Sequence, residues 1–202
     1  MKKLLKLILI VLLISSVLGG LGLLKDGQAL KEKLIRMHII ANSDSEKDQN
    51  VKLQVKDAIV SYLQPIMEKL PSKEEALSYL RNNVDAIEQF ANQVLDKLGV
   101  SERAVVTVAP EAFDSREYDT FSLPSGIYDA LKIRIGEAEG KNWWCVVFPN
   151  LCVPVTSTGF QDVAVSSGFS NNLTATLSGT RGYQLRFFLL DCIGKVENMF
   201  FS

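Results

Sequence analysis

Residues 126–152 read GIYDALKIRIGEAEGKNWWCVVFPNLC, and no other stretch narrows the possible folds as far. Leu131, Ile133 and Ile135 alternate with Lys132 and Arg134. A period of two sends apolar and polar side chains to opposite faces of a half-buried β-strand. Gly136 and the run Gly140, Lys141, Asn142 supply turn chemistry, after which residues 143–148 form a second, almost wholly apolar strand. The two strands are expected to form a β-hairpin. Trp143 and Trp144 are adjacent and must point to opposite faces. One fills the core, and the other lies under a helix, beneath a loop or against a partner.

Upstream, residues 34–41 (LIRMHIIA) form a strand candidate apolar enough on both faces to be central in its sheet. It stops where capping residues crowd together. Ser43 with Glu46, or Ser45 with Asp48, has the spacing of a capping box. The helix that follows carries Val51, Val55, Ala58, Ile59, Tyr62 and Ile66 on one stripe, with Pro65 bending its last turns. A second box, Ser72 to Glu75, opens another helix with Leu77, Leu80, Val84, Ile87, Ala91, Val94 and Leu98 at helical spacing, ended by Gly99. Residues 104–109 form a third strand candidate, halted by Pro110, and residues 113–124 form a loop or a short outlying hairpin.

The ends of the chain differ from this middle. Lys2, Lys3 and Lys6 precede an apolar run from Leu7 to Leu24, the pattern of an export signal or an uncleaved anchor. Residues 25–33 are expected to be a linker, 34–154 the α/β core domain, 155–182 a Ser/Thr/Gly-rich loop, and 183–202 a strand or amphipathic helix. In that last segment Leu190, Ile193, Val196, Met199 and Phe200 fall on one side. The expected architecture is a single two-layer α/β (α+β) domain after an N-terminal hydrophobic segment. Its mixed sheet of three to four strands includes a β-hairpin and is covered by two long helices.

Without residues 1–24, the remaining 19 basic and 23 acidic groups leave a net charge of −4 and no basic block. Nucleic-acid binding is disfavoured, because phosphate neutralisation needs clustered cations. With the single histidine His38, a multi-histidine zinc site is impossible, and no phosphate loop, nucleophile elbow or dinucleotide fingerprint occurs. No metal or cofactor is expected. The one nucleophilic arrangement available is Cys145 with His38 and Asp44, which requires the three to converge. The alternative makes His38 a structural strand residue and Cys145 oxidised or buried. Residues 148–151 suggest a chain reversal that lets Cys145 and Cys152 bridge, leaving Cys192 over; two buried free thiols are the other possibility. A bridge over so short a loop would remove only about 2–3 kcal/mol of unfolded-state freedom.

Two blocks carry a resemblance. Residues 35–45 (IRMHIIANSDS), Asp48, Gln49 and residues 52–58 (KLQVKDA) resemble the opening block of the stage II sporulation protein R family. Pro124, Ser125, Gly126, Tyr128, Ala130 and Leu131, then Ile135, Gly136 and Glu137, then residues 142–149 (NWWCVVFP) with Leu151 and Cys152, are similar to that family's second hallmark. The likeness covers about residues 30–152; residues 156–182 are less charged than the family pattern, and the tail adds Cys192.

The resemblance implies a protein made in the forespore and exported into the space between the forespore and mother-cell membranes. There it activates a membrane-embedded aspartic protease of the mother cell, which processes the sigma factor E precursor. The protein itself is not expected to be an enzyme, and its own membrane contact is expected only through the N-terminal segment. The partner-facing surface is expected around Asn142, Trp143, Trp144, Phe148, Pro149 and Leu151, with Asn42 and Asp44 at the strand-to-helix turn. Two alternatives come from other classes: an extracytoplasmic cysteine hydrolase acting on cell wall, or a membrane-anchored scaffold.

Overall fold

The computed structural model describes residues 2–152, 157–179 and 184–201. In chain order the elements are α1 (Lys2–Lys33), β1 (Ile35–Ile40), α2 (Glu46–Met67), α3 (Lys73–Asn82), α4 (Val84–Lys97), β2 (Ala104–Phe113), β3 (Arg116–Glu117), β4 (Ser122–Leu123), β5 (Gly126–Ile135), β6 (Asn142–Phe148), α5 (Ser157–Ser166), α6 (Asn171–Leu177) and α7 (Gln184–Phe200). They form one mixed α/β domain. The four-stranded sheet has the order β2-β5-β1-β6, with β1 parallel to β5 and antiparallel to β6, and β2 antiparallel to β5.

A strand hairpin is present, but it lies elsewhere than expected. β5 and β6 are not partners, because β1 runs between them. Ile35, Met37 and Ile39 are fully buried, so β1 needs a neighbour on each side. The connection at residues 136–141 straddles its end, with Gly140 N–H donating to Ala41 C=O at 3.0 Å and Glu139 N–H to Asn42 C=O at 3.1 Å. The hairpin is made instead by β2 and β5. Their register continues through β3 and β4, from Phe113 opposite Gly126 to Arg116 opposite Leu123. A bond from Tyr118 N–H to Phe121 C=O at 2.8 Å closes the tip. β2 runs through Pro110 because it is an edge strand, where a missing N–H can face away from the ladder.

One face of the sheet is apolar and covered by α2, α3 and α4. Met37, Ile39, Leu131, Ile133 and Ile135 meet Val55, Ile59 and Leu63 of α2, Leu80 of α3, and Ile87 and Leu95 of α4. Ser45 caps α2, its Oγ accepting from Asp48 N–H at 3.1 Å. The expected single second helix is broken at Asn83, whose backbone (φ −120°, ψ 18°) leaves the helix and whose Nδ2 donates to Tyr79 C=O at 2.8 Å. Gly99 follows with φ +67°, the conformation that ends helices.

The second face carries helices too, so the sheet is not covered on one side only. Residues 155–182 were expected to be a loop, yet they contain α5 and α6, with Phe160, Ala164, Phe169, Leu173 and Leu177 buried against the sheet and hairpin tip. Phe160 stacks on Phe121 with centroids 4.5 Å apart. Ser, Thr and Gly lower helix propensity, and burial of this apolar set overrides it. Residues 25–33, expected to be a linker, are the last turns of α1, because Leu30 and Leu34 join the same core and Asp26 pairs with Arg186 of α7. The terminal segment is the helix α7, held by Asp191 Oδ1 accepting from Ser125 N–H at 2.8 Å. Its Val196, Met199 and Phe200 are exposed rather than packed. Among the described residues no helix is long and apolar enough to cross a membrane. The side chains of residues 12–18, the middle of the apolar run, lie outside the described set.

Candidate partner-binding site

The two sequence blocks meet at a pair of turns. The turn after β1 and the turn before β6 are joined by side chains reaching across. Asn42 Oδ1 accepts from Glu137 N–H at 3.0 Å, and Asp44 Oδ1 accepts from Lys141 N–H at 2.7 Å. Lys52, almost fully buried, donates to Lys141 C=O at 2.9 Å and to Gln49 Oε1 at 2.6 Å. Burial of this ammonium lowers its pKa. Asp48 accepts from Ser43 Oγ at 2.6 Å and Asn42 Nδ2 at 2.9 Å, and these bonds hold its carboxyl below the usual range. The approach is close enough to demand glycine. A Cβ on Gly140 would stand 2.2 Å from Ser43 carbonyl oxygen. Half-buried Asn42 and exposed Asp44 therefore tie the two turns together.

The stapled turn launches β6, the last strand of the sheet. Its tryptophans diverge as adjacent strand residues must. Trp143 packs at the margin of the apolar face with the Lys56 ammonium 4.8 Å from its ring centroid. Trp144 lies on the other face, stacked on His38 at 5.4 Å and covered by the Arg116 guanidinium at 3.5 Å. The Cys145–Cys152 disulfide closes the strand's far end. Leu151 N–H donates to Val146 C=O at 3.1 Å. Phe148 is half-buried, whereas Pro149, after a cis peptide, and Leu151 are buried and shape the loop.

Beside Trp144 lies a polar cluster. His38 Nδ1 sits 3.0 Å from Glu111 Oε1, and His38 Nε2 sits 2.9 Å from Asn142 Oδ1. Lys132 Nζ donates to Glu111 Oε1 at 2.6 Å. Burial would raise the Glu111 pKa, but the bonds from His38 and Lys132 outweigh it and hold the carboxyl below its ordinary value. Two residues along β1, Arg36 is wholly buried, its guanidinium 4.1 Å from the Phe113 ring centroid and its Nη2 donating to Tyr118 Oη at 3.0 Å.

These positions separate the proposed nucleophile from its base. Cys145 belongs to the apolar face and is bonded to Cys152, whereas His38 lies on the opposite face. Asp44 is occupied at the turn. Sequence reasoning missed Glu111, Lys132 and Arg116. The available signal was the pair Arg36 and His38 inside an apolar strand, two apart and so on one face, which demands polar partners from neighbouring strands.

The two turns are stapled through backbone contacts, and the strand that they launch carries an aromatic edge. The family model described as stage II sporulation protein R matches residues 31–158. Stage II sporulation protein R of Bacillus subtilis (strain 168) is 33% identical over 159 residues, covering 75% of this chain and 71% of that protein. The chain belongs to the stage II sporulation protein R family, which is named for sporulation rather than for a catalytic activity. No solved structure matches it.

Proposed function

We propose that this chain is an exported signalling protein of endospore formation, acting as a non-enzymatic activator of a membrane-embedded aspartic protease. Activation triggers processing of the sigma factor E precursor. The observation that carries the reading is the junction at which both family blocks meet and present Trp143 and Trp144 along one edge. A ligand shifts a protease toward its active state only by binding that state more tightly than the inactive one. Asn142, Trp143, Trp144 and Phe148 make that differential contact, while Pro149, Leu151, Asn42 and Asp44 hold them in place. The apolar run at residues 7–24 directs export, and the domain works between the two membranes.

The test is to add the full chain to cells that make the protease and precursor but lack this protein, and to follow precursor cleavage. Wild type restores cleavage, and Trp144→Ala reduces it by about tenfold or more at unchanged secretion and folding. A Cys192→Ser variant treated with a thiol alkylating agent still signals. Loss of signalling on alkylation would instead establish the cysteine hydrolase.

A further inference from the structure

α7 spans 17 residues, about 25 Å, and one of its faces meets the rest of the chain. Leu190, Asp191 and Gly194 are buried there. Asp191 Oδ1 accepts from Ser125 N–H, and Asn198 Nδ2 donates to Phe113 C=O at 2.9 Å. Arg186 and Glu197 pair with Asp26 and Lys31 of α1. Opposite lies a stripe that stands open to solvent among the described residues. Leu185, Phe188, Leu189, Val196, Met199 and Phe200 are all exposed, with half-buried Cys192 in their midst. At 3.6 residues per turn the seven fall within an arc of about 120°, a width that ordinarily faces a core. No charged side chain interrupts the arc. Lys195 stands at its margin, paired with Asp191.

We propose that this stripe is the interface of a homodimer, in which α7 packs antiparallel on α7 of a second copy across a two-fold axis at Cys192. The pairing goes beyond the activator reading and does not depend on it. Three observations select a second copy as the occupant. The exposed side chains of the stripe amount to on the order of 700 Å² of apolar surface, more than a monomer ordinarily leaves open and close to the roughly 800 Å² that each partner buries in a standard interface. Cys192 is the midpoint of Gln184–Phe200, so the stripe is self-complementary about it. An antiparallel copy sets Leu185 against the partner's Met199 and Phe188 against the partner's Val196, with the helix dipoles opposed. The third observation is charge. α7 carries Arg186, Asp191, Lys195 and Glu197, and all four are paired within the chain. A helix that lies on anionic lipid is flanked by free cations instead, and a charged protein partner would find no free charge to match.

The experiment is sedimentation equilibrium of the full chain in a nonionic detergent, with Cys192 as a second reporter because Cys145 and Cys152 are already bonded. Dioxygen with copper phenanthroline takes one electron and one proton from each Cys192 thiol and should give a dimer joined through that residue. Phe188→Asp should weaken association by about tenfold or more at unchanged helical circular dichroism, and Val196→Lys should do the same. Combining Phe188→Asp with Val196→Lys should recover association, because each new carboxylate then faces an ammonium of the other copy. A wild-type chain that stays monomeric at about 100 μM would overturn the dimer. So would a dimer that ignores Phe188→Asp or does not cross-link at Cys192, which assigns association to another surface such as the apolar run at residues 7–24. Monomers whose binding to anionic phospholipid vesicles falls with Phe188→Asp would assign the stripe to a membrane and overturn the dimer as well.

Discussion

β1 and β5 show the sheet two different surfaces. Toward α2, α3 and α4 they turn Met37, Ile39, Leu131, Ile133 and Ile135, all buried among apolar neighbours. Toward the other side the same strands turn Arg36, His38 and Lys132, each held by a specific partner or ring, although Arg36 Nε and Nη1 are buried without a hydrogen-bond partner. Apolar burial is non-directional and tolerates repacking, so the first surface supplies stability. Hydrogen-bonded polar groups in a low dielectric demand one geometry, so the second surface supplies position. It is the second that orients Trp144.

If that division is right, the largest loss comes from the closed surface. Ile133→Ala should cost about 2–5 kcal/mol in urea unfolding, the range for emptying a fully buried site. A cost below about 1 kcal/mol would show that the apolar side is not what holds the sheet. Next comes the staple between the turns. Gly140→Ala drives a methyl group into the Ser43 backbone and should cost about 1–3 kcal/mol in the same assay. It should also reduce signalling, because β6 starts at that turn.

A smaller effect isolates the polar surface through pH. The folded Glu111 carboxyl lies below its ordinary value of 4.5. Its contribution to stability is therefore complete above the unfolded value and is lost as pH falls through the lower folded value. Wild type should be more stable than Glu111→Gln near neutrality, and the two should converge as pH falls through that lowered folded value. An unchanged gap down to acid pH would mean that the cluster does not couple to folding. The smallest change is expected at an exposed pair outside both surfaces. Arg103→Ala, which removes the 2.7 Å contact with Asp96, should shift stability by less than about 1 kcal/mol.

The readable parts of the fold were those set by local periodicity. The alternation at 131–135 is the β5 face that meets the helices, and the Ser45 and Ser72 caps sit where α2 and α3 begin. The apolar run at residues 34–41 is the central strand. Pairing was less readable. A short turn between two strands suggests a hairpin, yet β1, some ninety residues earlier in sequence, is inserted between them. At the site, the opposed tryptophans and the closeness of Cys145 and Cys152 follow from spacing alone. Glu111, Lys132 and Arg116 do not, because each reaches the cluster from another strand. The helices of residues 157–177 were hidden by Ser and Thr, whose weak propensity masks a buried set supplied by the hairpin tip.

The sequence alone determined the core strands β1 and β5, the faces of their side chains, the Ser45 and Ser72 caps and the family, because these are legible from short stretches of residues. Tertiary structure decided which strands lie side by side, which cation meets which ring, and that Cys145 and His38 occupy opposite faces. The physical reason is that those outcomes minimise buried polar cost and exposed apolar area over the whole chain at once. No single window of sequence contains that sum.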